Sequence, residues 1–268
     1  MTPIQLRDLY DARLRPWVEP DPPPGVVFER FGNLVRVTGR EQGFVESGPD
    51  VGLAGAALDA EIARHRDHFA ARGEEVEWKT RAHDRPADLT ERLIAAGFEP
   101  EDPETVVIGL AADMIGAGEP PDGVRIRRTA DPDDFARIAE MESAVWGEDW
   151  AWLGDDLARE SAHDPDHFTV LVAEAGGEVV SAAWLAAKPG TGFGGLWGGS
   201  TLEAWRHRGI YRSLVAARAR AALERGIEYL QVDASPDSRP VLERLGFVAV
   251  TTTTPYVWRP SRRSPDPA

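Results

Sequence analysis

The chain contains no cysteine. That removes disulfides, thiolate zinc sites and cysteine nucleophiles together, and it fits a reducing cytoplasm as the expected compartment. No run approaches the ~20 apolar residues that a bilayer span needs, so no membrane partner is expected. The start of the chain, with Arg7, Asp8, Asp11, Arg13 and Arg15, lacks the apolar core of a signal peptide. A basic balance is missing too. The formal net charge is -15, the wrong sign for a duplex nucleic acid partner. His65, His68, His83, His163 and His167 lack a supporting donor set, so no metal is expected.

What is present fits a soluble globular chain of two domains. The length is 268 residues, hydrophobic residues make up 42%, and the mean hydropathy is -0.35. The most informative stretch is Arg206-His207-Arg208-Gly209-Ile210-Tyr211. It sits between a glycine-laced strand, Gly194 to Thr201, and a helix expected over 211–225. The first amides of a helix have no internal partners, and with the positive end of the helix dipole they form an anion site. Gly209 allows close approach of a ligand, and Arg206 and Arg208 add guanidinium forks suited to phosphate.

Downstream, Arg225-Gly226 stops the helix and 227–232 reads as a strand. Ser235-Pro236 reads as an N-cap with proline in the first turn of a short helix that Gly246 stops. Residues 247–250 and 254–258 then read as two closing strands. Upstream, 124–128 alternates as a strand, and helices are expected from Asp131-Pro132 and over 152–163. A hairpin of 168–173 with 178–187 turns at Gly176-Gly177.

This order of elements, with Arg206 and Gly209 at the loop, resembles the GNAT superfamily of N-acetyltransferases over about 123–258. The family's loop reads Arg or Gln, two residues, Gly, one residue, then Gly or Ala; Tyr211 departs from it at the last position. The resemblance implies the acyl-CoA N-acyltransferase fold, a mixed α/β sheet. It implies acetyl transfer from acetyl-CoA, as co-substrate, to a primary amine by direct attack, with no covalent enzyme intermediate. Ser200, Thr201, Leu202, Arg206, His207, Arg208, Gly209, Ile210, Tyr211 and Ser235 would then line the coenzyme A site, with the backbone of 200–202 polarising the thioester. Many relatives carry a tyrosine acid where this chain has Leu242, which keeps open a second reading as a non-catalytic acyl-CoA sensor or scaffold. Tyr211 and Tyr256 are replacement acids only by elimination. Glu142, Asp233 and Glu203 are the candidate bases, and Ser200 holds a water or satisfies a strand edge. Trp146, Asp149 and Trp150, in Trp146-Gly147-Glu148-Asp149-Trp150-Ala151-Trp152, suit a cationic or ring-bearing acceptor, or else anchor a loop. The acceptor is a small-molecule or peptide amine of unspecified identity, and a homodimer stays open.

The first half echoes the second. His68 to Lys79 parallels Arg220 to Leu230, and Glu91 to Phe98 parallels Glu243 to Phe247. The expected organisation is a helix and proline-rich connector over 1–24 and a degenerate GNAT-like unit over 25–111, closed by a strand at 104–110. A linker at 112–122 leads to the full GNAT domain at 123–258, and a disordered tail covers 259–268. No arginine loop precedes the first unit's helix, so one cofactor site is expected.

Overall fold

A computed structural model of the chain describes residues 1–260. The expected tail at 259–268 lies, apart from Arg259 and Pro260, outside the described residues. The chain gathers into two compact units. The C-terminal unit joins Met1–Leu6 to Thr105–Val250, and the N-terminal unit joins Arg7–Glu104 to the chain from Thr251.

The first helix, α1 (Pro3–Arg13), starts at a reciprocal cap. The Thr2 hydroxyl accepts the Gln5 N–H at 3.2 Å, and the Gln5 side chain accepts the Thr2 N–H at 2.8 Å. In the N-terminal unit, β1 (Val27–Phe31) and β2 (Leu34–Thr38) form an antiparallel hairpin. A strand not foreseen, β3 (Gly43–Ser47), follows. It lies antiparallel to β2 and parallel to β4 (Val76–Arg81). Helix α2 (Gly55–Arg72) stops at Gly73, then α3 (Leu89–Ala95) and the short β5 (Glu99–Pro100) follow. Leu34, Val45, Leu58, Ile62, Phe69, Trp78, Leu93 and Phe98 make one buried cluster. Full burial of side chains of this size contributes roughly 1.5–3 kcal/mol each.

The C-terminal unit opens on β6 (Glu104–Leu110) and α4 (Ala111–Met114). Then come β7 (Val124–Thr129), α5 (Pro132–Trp146), α6 (Ala151–His163), β8 (Phe168–Ala175), β9 (Glu178–Lys188) and β10 (Phe193–Thr201). Helix α7 (Ile210–Leu223), β11 (Tyr229–Ala234) and α8 (Arg239–Leu245) complete it, with the start of β12 (Val248–Trp258). Its strands run in the order β7-β8-β9-β10-β11-β6. Helices α5 and α6 cover one face through Phe135, Ile138, Leu153 and Leu157, packed on Val170, Val172 and Ala182. On the other face, Val215, Ala219 and Leu242 from α7 and α8 pack with Leu185, Leu196 and Leu230. Alternation of side chains along each strand makes both faces apolar, as a sheet covered twice requires.

Four expectations need correction. Residues 104–110 do not close the first repeat: β6 pairs antiparallel with β11 through six registered pairs, Thr105 to Leu110 against Ala234 to Tyr229. Its Val106, Val107 and Ile108 are fully buried there, which local patterning could not assign to one repeat or the other. The two closing strands are one, β12, because threonines 251–254 are β-branched and continue the pleat. The part from Thr251 belongs to the N-terminal unit, where Thr253 Oγ1 donates to the Thr80 carbonyl and Thr80 Oγ1 to the Thr254 carbonyl, each at 2.9 Å. Finally, α8 begins at Arg239, not at Pro236. Ser235 instead closes a turn, its hydroxyl accepting the Ser238 N–H at 3.2 Å, and Ser238 and Pro240 start the helix. The stretch 112–122, expected as a linker, lies within the C-terminal unit, where Arg220 bonds the Ile115 carbonyl at 3.0 Å and Glu119 at 2.9 Å.

Candidate active site

The site is built where two parallel strands separate. β10 and β11 pair only at Phe193, Gly194 and Gly195, against Tyr229, Leu230 and Gln231. Beyond that, β10 continues to Thr201 and β11 to Ala234 without pairing to one another. A bulge between Gly198 and Thr201 shifts the register of β10 on β9 at the same point. Gly198 and Gly199 have φ of 64° and 97°, values that other residues reach only with strain. A Cβ on Gly199 would stand 2.7 Å from the Tyr211 ring, so the glycine is also needed for space.

The bulge is tied down from its own sheet. The Ser181 hydroxyl donates to the Ser200 carbonyl at 2.5 Å and lies 2.9 Å from Thr201 Oγ1. The Leu202 N–H is committed to the Val180 carbonyl at 3.0 Å.

The loop that follows places cations around the first turn of α7. Gly209 (φ 90°) is its N-cap, and Ser213 N–H closes on the Gly209 carbonyl at 3.1 Å. The amides before Ser213 carry the orphan donors of a helix start. Ile210 is buried and offers only its backbone. His207 holds a left-handed φ of 62°, part of the tight turn into the helix. Arg206 Nε donates to the Thr201 carbonyl at 3.0 Å, joining the loop to the end of β10. The Arg208 guanidinium sits over the Trp205 ring at 4.6 Å. Arg212, which the sequence reading missed, brings its Nη2 to 3.5 Å from where a Gly209 Cβ would be.

On the α5 side, Glu142 is 2% exposed. Its Oε2 accepts from Trp146 Nε1 at 2.9 Å, and that same N–H lies 3.2 Å from Ser200 Oγ. Oε1 has no partner in good hydrogen-bond geometry among the described residues. Burial pushes the Glu142 carboxyl above the usual carboxylate range, and Ser200 and Trp146 offset part of the rise. Glu142, Trp146 and Ser200, singled out separately from sequence, are thus brought together. Trp146 is 59% exposed and stacks on Trp150 at 6.4 Å, which stacks on Trp152 at 5.4 Å. Trp150 packs on the α5–α6 core, and its N–H is bonded to Ser143 Oγ at 3.0 Å. Asp149 accepts the Ala151 N–H at 3.0 Å at the start of α6. The loop is therefore anchored by Trp150 and presents Trp146.

The remaining candidates fall elsewhere. Asp233 accepts from Gln231 Nε2 at 2.7 Å. Val232 packs toward α7, so alternation puts Asp233 on the α5 face of the sheet. Glu203 is exposed in the short turn Glu203–Trp205. Ser235 lies in the turn before α8. Tyr256 belongs to the buried cluster of the N-terminal unit. Tyr211 is held by packing, and burial raises its pKa although Arg218 beside it and Ser238 draw it back.

Arg218 was also missed. It is 1% exposed, on α7. Its Nε donates to the Leu214 carbonyl at 3.2 Å and its Nη1 to the Trp197 carbonyl at 3.0 Å. The signal was present: an arginine interrupts the apolar stripe of Tyr211, Leu214, Val215 and Ala222 at helical spacing.

Parted parallel strands, a bulge at their fork and a glycine-led helix beside it define the N-acyltransferase fold of acyl-CoA enzymes. Residues 135–247 match the model of the acetyltransferase (GNAT) family. The chain's fold is similar to a GCN5-related N-acetyltransferase from Kribbella flavida, at 18% identity and a TM-score of 0.65, over 95% of this chain and 92% of that one. It is similar as well to a tandem GNAT protein from the clavulanic acid biosynthesis pathway, at 14% identity and a TM-score of 0.63, over 98% and 96%. A GCN5-related N-acetyltransferase from Sphaerobacter thermophilus matches at 17% identity and 0.58, over 85% and 80%. No curated protein sequence matches the chain. The fold is thus a full GNAT domain with a shortened GNAT-like unit before it. Among the described residues, no helix is long and apolar enough to cross a membrane.

Proposed function

We propose that the protein is an N-acetyltransferase that moves the acetyl group of acetyl-CoA to a primary amine by direct attack. The observation that carries this reading is the parting of β10 from β11 after Gly195, with the bulge at Gly198–Thr201 beside the first turn of α7. The gap suits the pantetheine arm. The first amides of α7, with Arg206, Arg208 and Arg212 around them, suit the diphosphate. Because the Leu202 N–H is already bonded, amides of the bulge itself are the donors for the thioester carbonyl.

Glu142 is the base of choice over Asp233 and Glu203. It is buried, its pKa is raised toward the working range of a proton acceptor, and Oε1 is free in geometry to take the proton from an incoming ammonium. The amine nitrogen then bonds to the acetyl carbon as the carbon–sulfur bond breaks. A thiol's pKa near 8.5 makes the leaving thiolate stable enough to depart with water as its proton source, so Leu242 in place of an acid is no obstacle. Trp146, with Trp150 and Asp149 behind it, forms the wall against which a cationic or ring-bearing acceptor would lie.

The test is calorimetry on the double variant Arg206→Glu, Gly209→Trp. Acetyl-CoA binding is expected to vanish while circular dichroism stays native; unchanged affinity would refute the site. Release of free thiol from acetyl-CoA across a panel of amines separates an enzyme from a sensor. Tight binding with no thiol released from any amine would favour the sensor.

A further inference from the structure

Helix α7 carries a cation that the proposed chemistry does not yet use. Arg218 is 1% exposed, and no carboxylate pairs with it among the interactions of its guanidinium. Taking a charge from water without an opposite partner costs several kcal/mol, so such a group is kept only where its donors are needed. Two donors have partners: Nε on the Leu214 carbonyl and Nη1 on the Trp197 carbonyl. The third group, Nη2, is buried and has no hydrogen-bond partner among the described residues. It lies 3.9 Å from the position a Cβ would take on Gly199, on the side where the Tyr211 ring also stands. The orphan donor is thus at the bulge where β10 has left β11. Burial lowers the guanidinium pKa to about 10, which leaves it charged at neutral pH.

We propose that Arg218 reads the acyl group: Nη1 holds the bulge in shape through Trp197, and Nη2 donates to the carbonyl oxygen of the bound acyl thioester. A charge-assisted bond here would strengthen as negative charge grows on that oxygen during attack. The inference rests on the acyl-CoA reading above. It adds a side-chain donor to the backbone donors of the bulge, and it makes the site sense whether the coenzyme is acylated.

The experiment compares two ligands on three proteins. Acetyl-CoA and free CoA are titrated by calorimetry into the wild type, Arg218→Lys and Arg218→Met. The two ligands share every pantetheine and phosphate group, and only acetyl-CoA has the thioester carbonyl. The wild type is expected to prefer acetyl-CoA, and both variants to lose about tenfold of that preference, as removal of one hydrogen bond to a charged group predicts. Equal weakening of both ligands would mean that Arg218 only shapes the strand, and would overturn the proposal. So would unchanged binding of both. If Arg218→Met does not fold, the carbonyl stretch of 13C-labelled acetyl-CoA decides, measured on the wild type and on Arg218→Lys. A downward shift on binding to the wild type that shrinks in Arg218→Lys supports the donor, and identical bands refute it. Failure of both acetyl-CoA and free CoA to bind the wild type would instead sink the acyl-CoA reading itself.

Discussion

Twice in this chain two parallel strands pair for three residues and then part. In the C-terminal unit, β10 leaves β11 after Gly195, and the end of β10 is glycine, serine and threonine. In the N-terminal unit, β3 pairs β4 at Gly43, Phe44 and Val45 and leaves it before Ser47. There the fork is filled from the same unit. Arg15 donates from Nε to the Ser47 carbonyl at 3.1 Å and from Nη2 to the Gly48 carbonyl at 3.0 Å. Its Nη1 reaches Asp84 at 2.7 Å and Asp11 at 3.3 Å. Arg81, hydrogen-bonded to the Tyr10 hydroxyl, and His83, 2.8 Å from Asp11, close the cluster. A bridge of Asp50 with Arg85 then rejoins the backbone. One fork holds its own arginine and two carboxylates; the other holds an arginine with a donor to spare and no carboxylate bonded to it. The difference teaches that two forks of the same backbone geometry can differ in the side chains that enter them.

The largest expected effect lies in the open fork. Glu142→Gln should lower kcat by about 10²–10⁴, the usual contribution of a positioned base, with little change in acetyl-CoA affinity by calorimetry. An unchanged kcat would move the base to Asp233 or Glu203. The same variant carries a stability signature of the opposite sign. The folded pKa of Glu142 is raised, so it contributes stability at low pH that is lost as pH rises through that pKa. Glu142→Gln should therefore melt above the wild type at neutral pH, with the gap closing near pH 4.

The filled fork should answer differently. Arg15→Met leaves Asp84 and Asp11 buried without their cation, which costs about 3–5 kcal/mol when a buried pair is broken. Hydrogen exchange should speed in 27–104 more than in 124–250, while calorimetry still finds one acetyl-CoA per chain. A second binding event would show that the arginine alone had been excluding a ligand.

The smallest effect concerns acid. His65 is fully buried against the Trp78 and Phe31 rings, and burial lowers its pKa to about 4. A depressed histidine contributes stability above its unfolded pKa of about 6.5, and that is lost as pH falls toward 4. Exchange in α2 should accelerate over that window, and His65→Phe should flatten the dependence. An unchanged slope would show that the ring does not titrate there.

Much of this was readable from the sequence because local rules carry it. Gly209 after two arginines, the stop at Gly246 and the hairpin at Gly176-Gly177 depend on backbone conformations that few residues reach, so they mark their own positions. Strand β3 was missed because Gly43–Ser47 is short, and its Ser47 and Glu46 break the apolar alternation. The threonine run 251–254 read as a break because it lacks large apolar side chains, yet it is paired on β4. Glu142, Trp146 and Ser200 could be named but not joined. Their contacts span up to 54 positions of chain, and no periodicity relates them. Arg218 showed only as a charge out of place on an apolar stripe.

By itself the sequence determined the order of most elements, the glycine-led turn into α7 and the absence of cysteine, because each follows from residues adjacent in the chain. Only the tertiary structure decided which unit β6 joins and which fork is filled. It also decided that a carboxylate, an indole and a hydroxyl meet beside the bulge. Pairing and burial act between residues far apart in sequence, and a buried charge acquires its meaning from the partners that folding brings, or does not bring, to it.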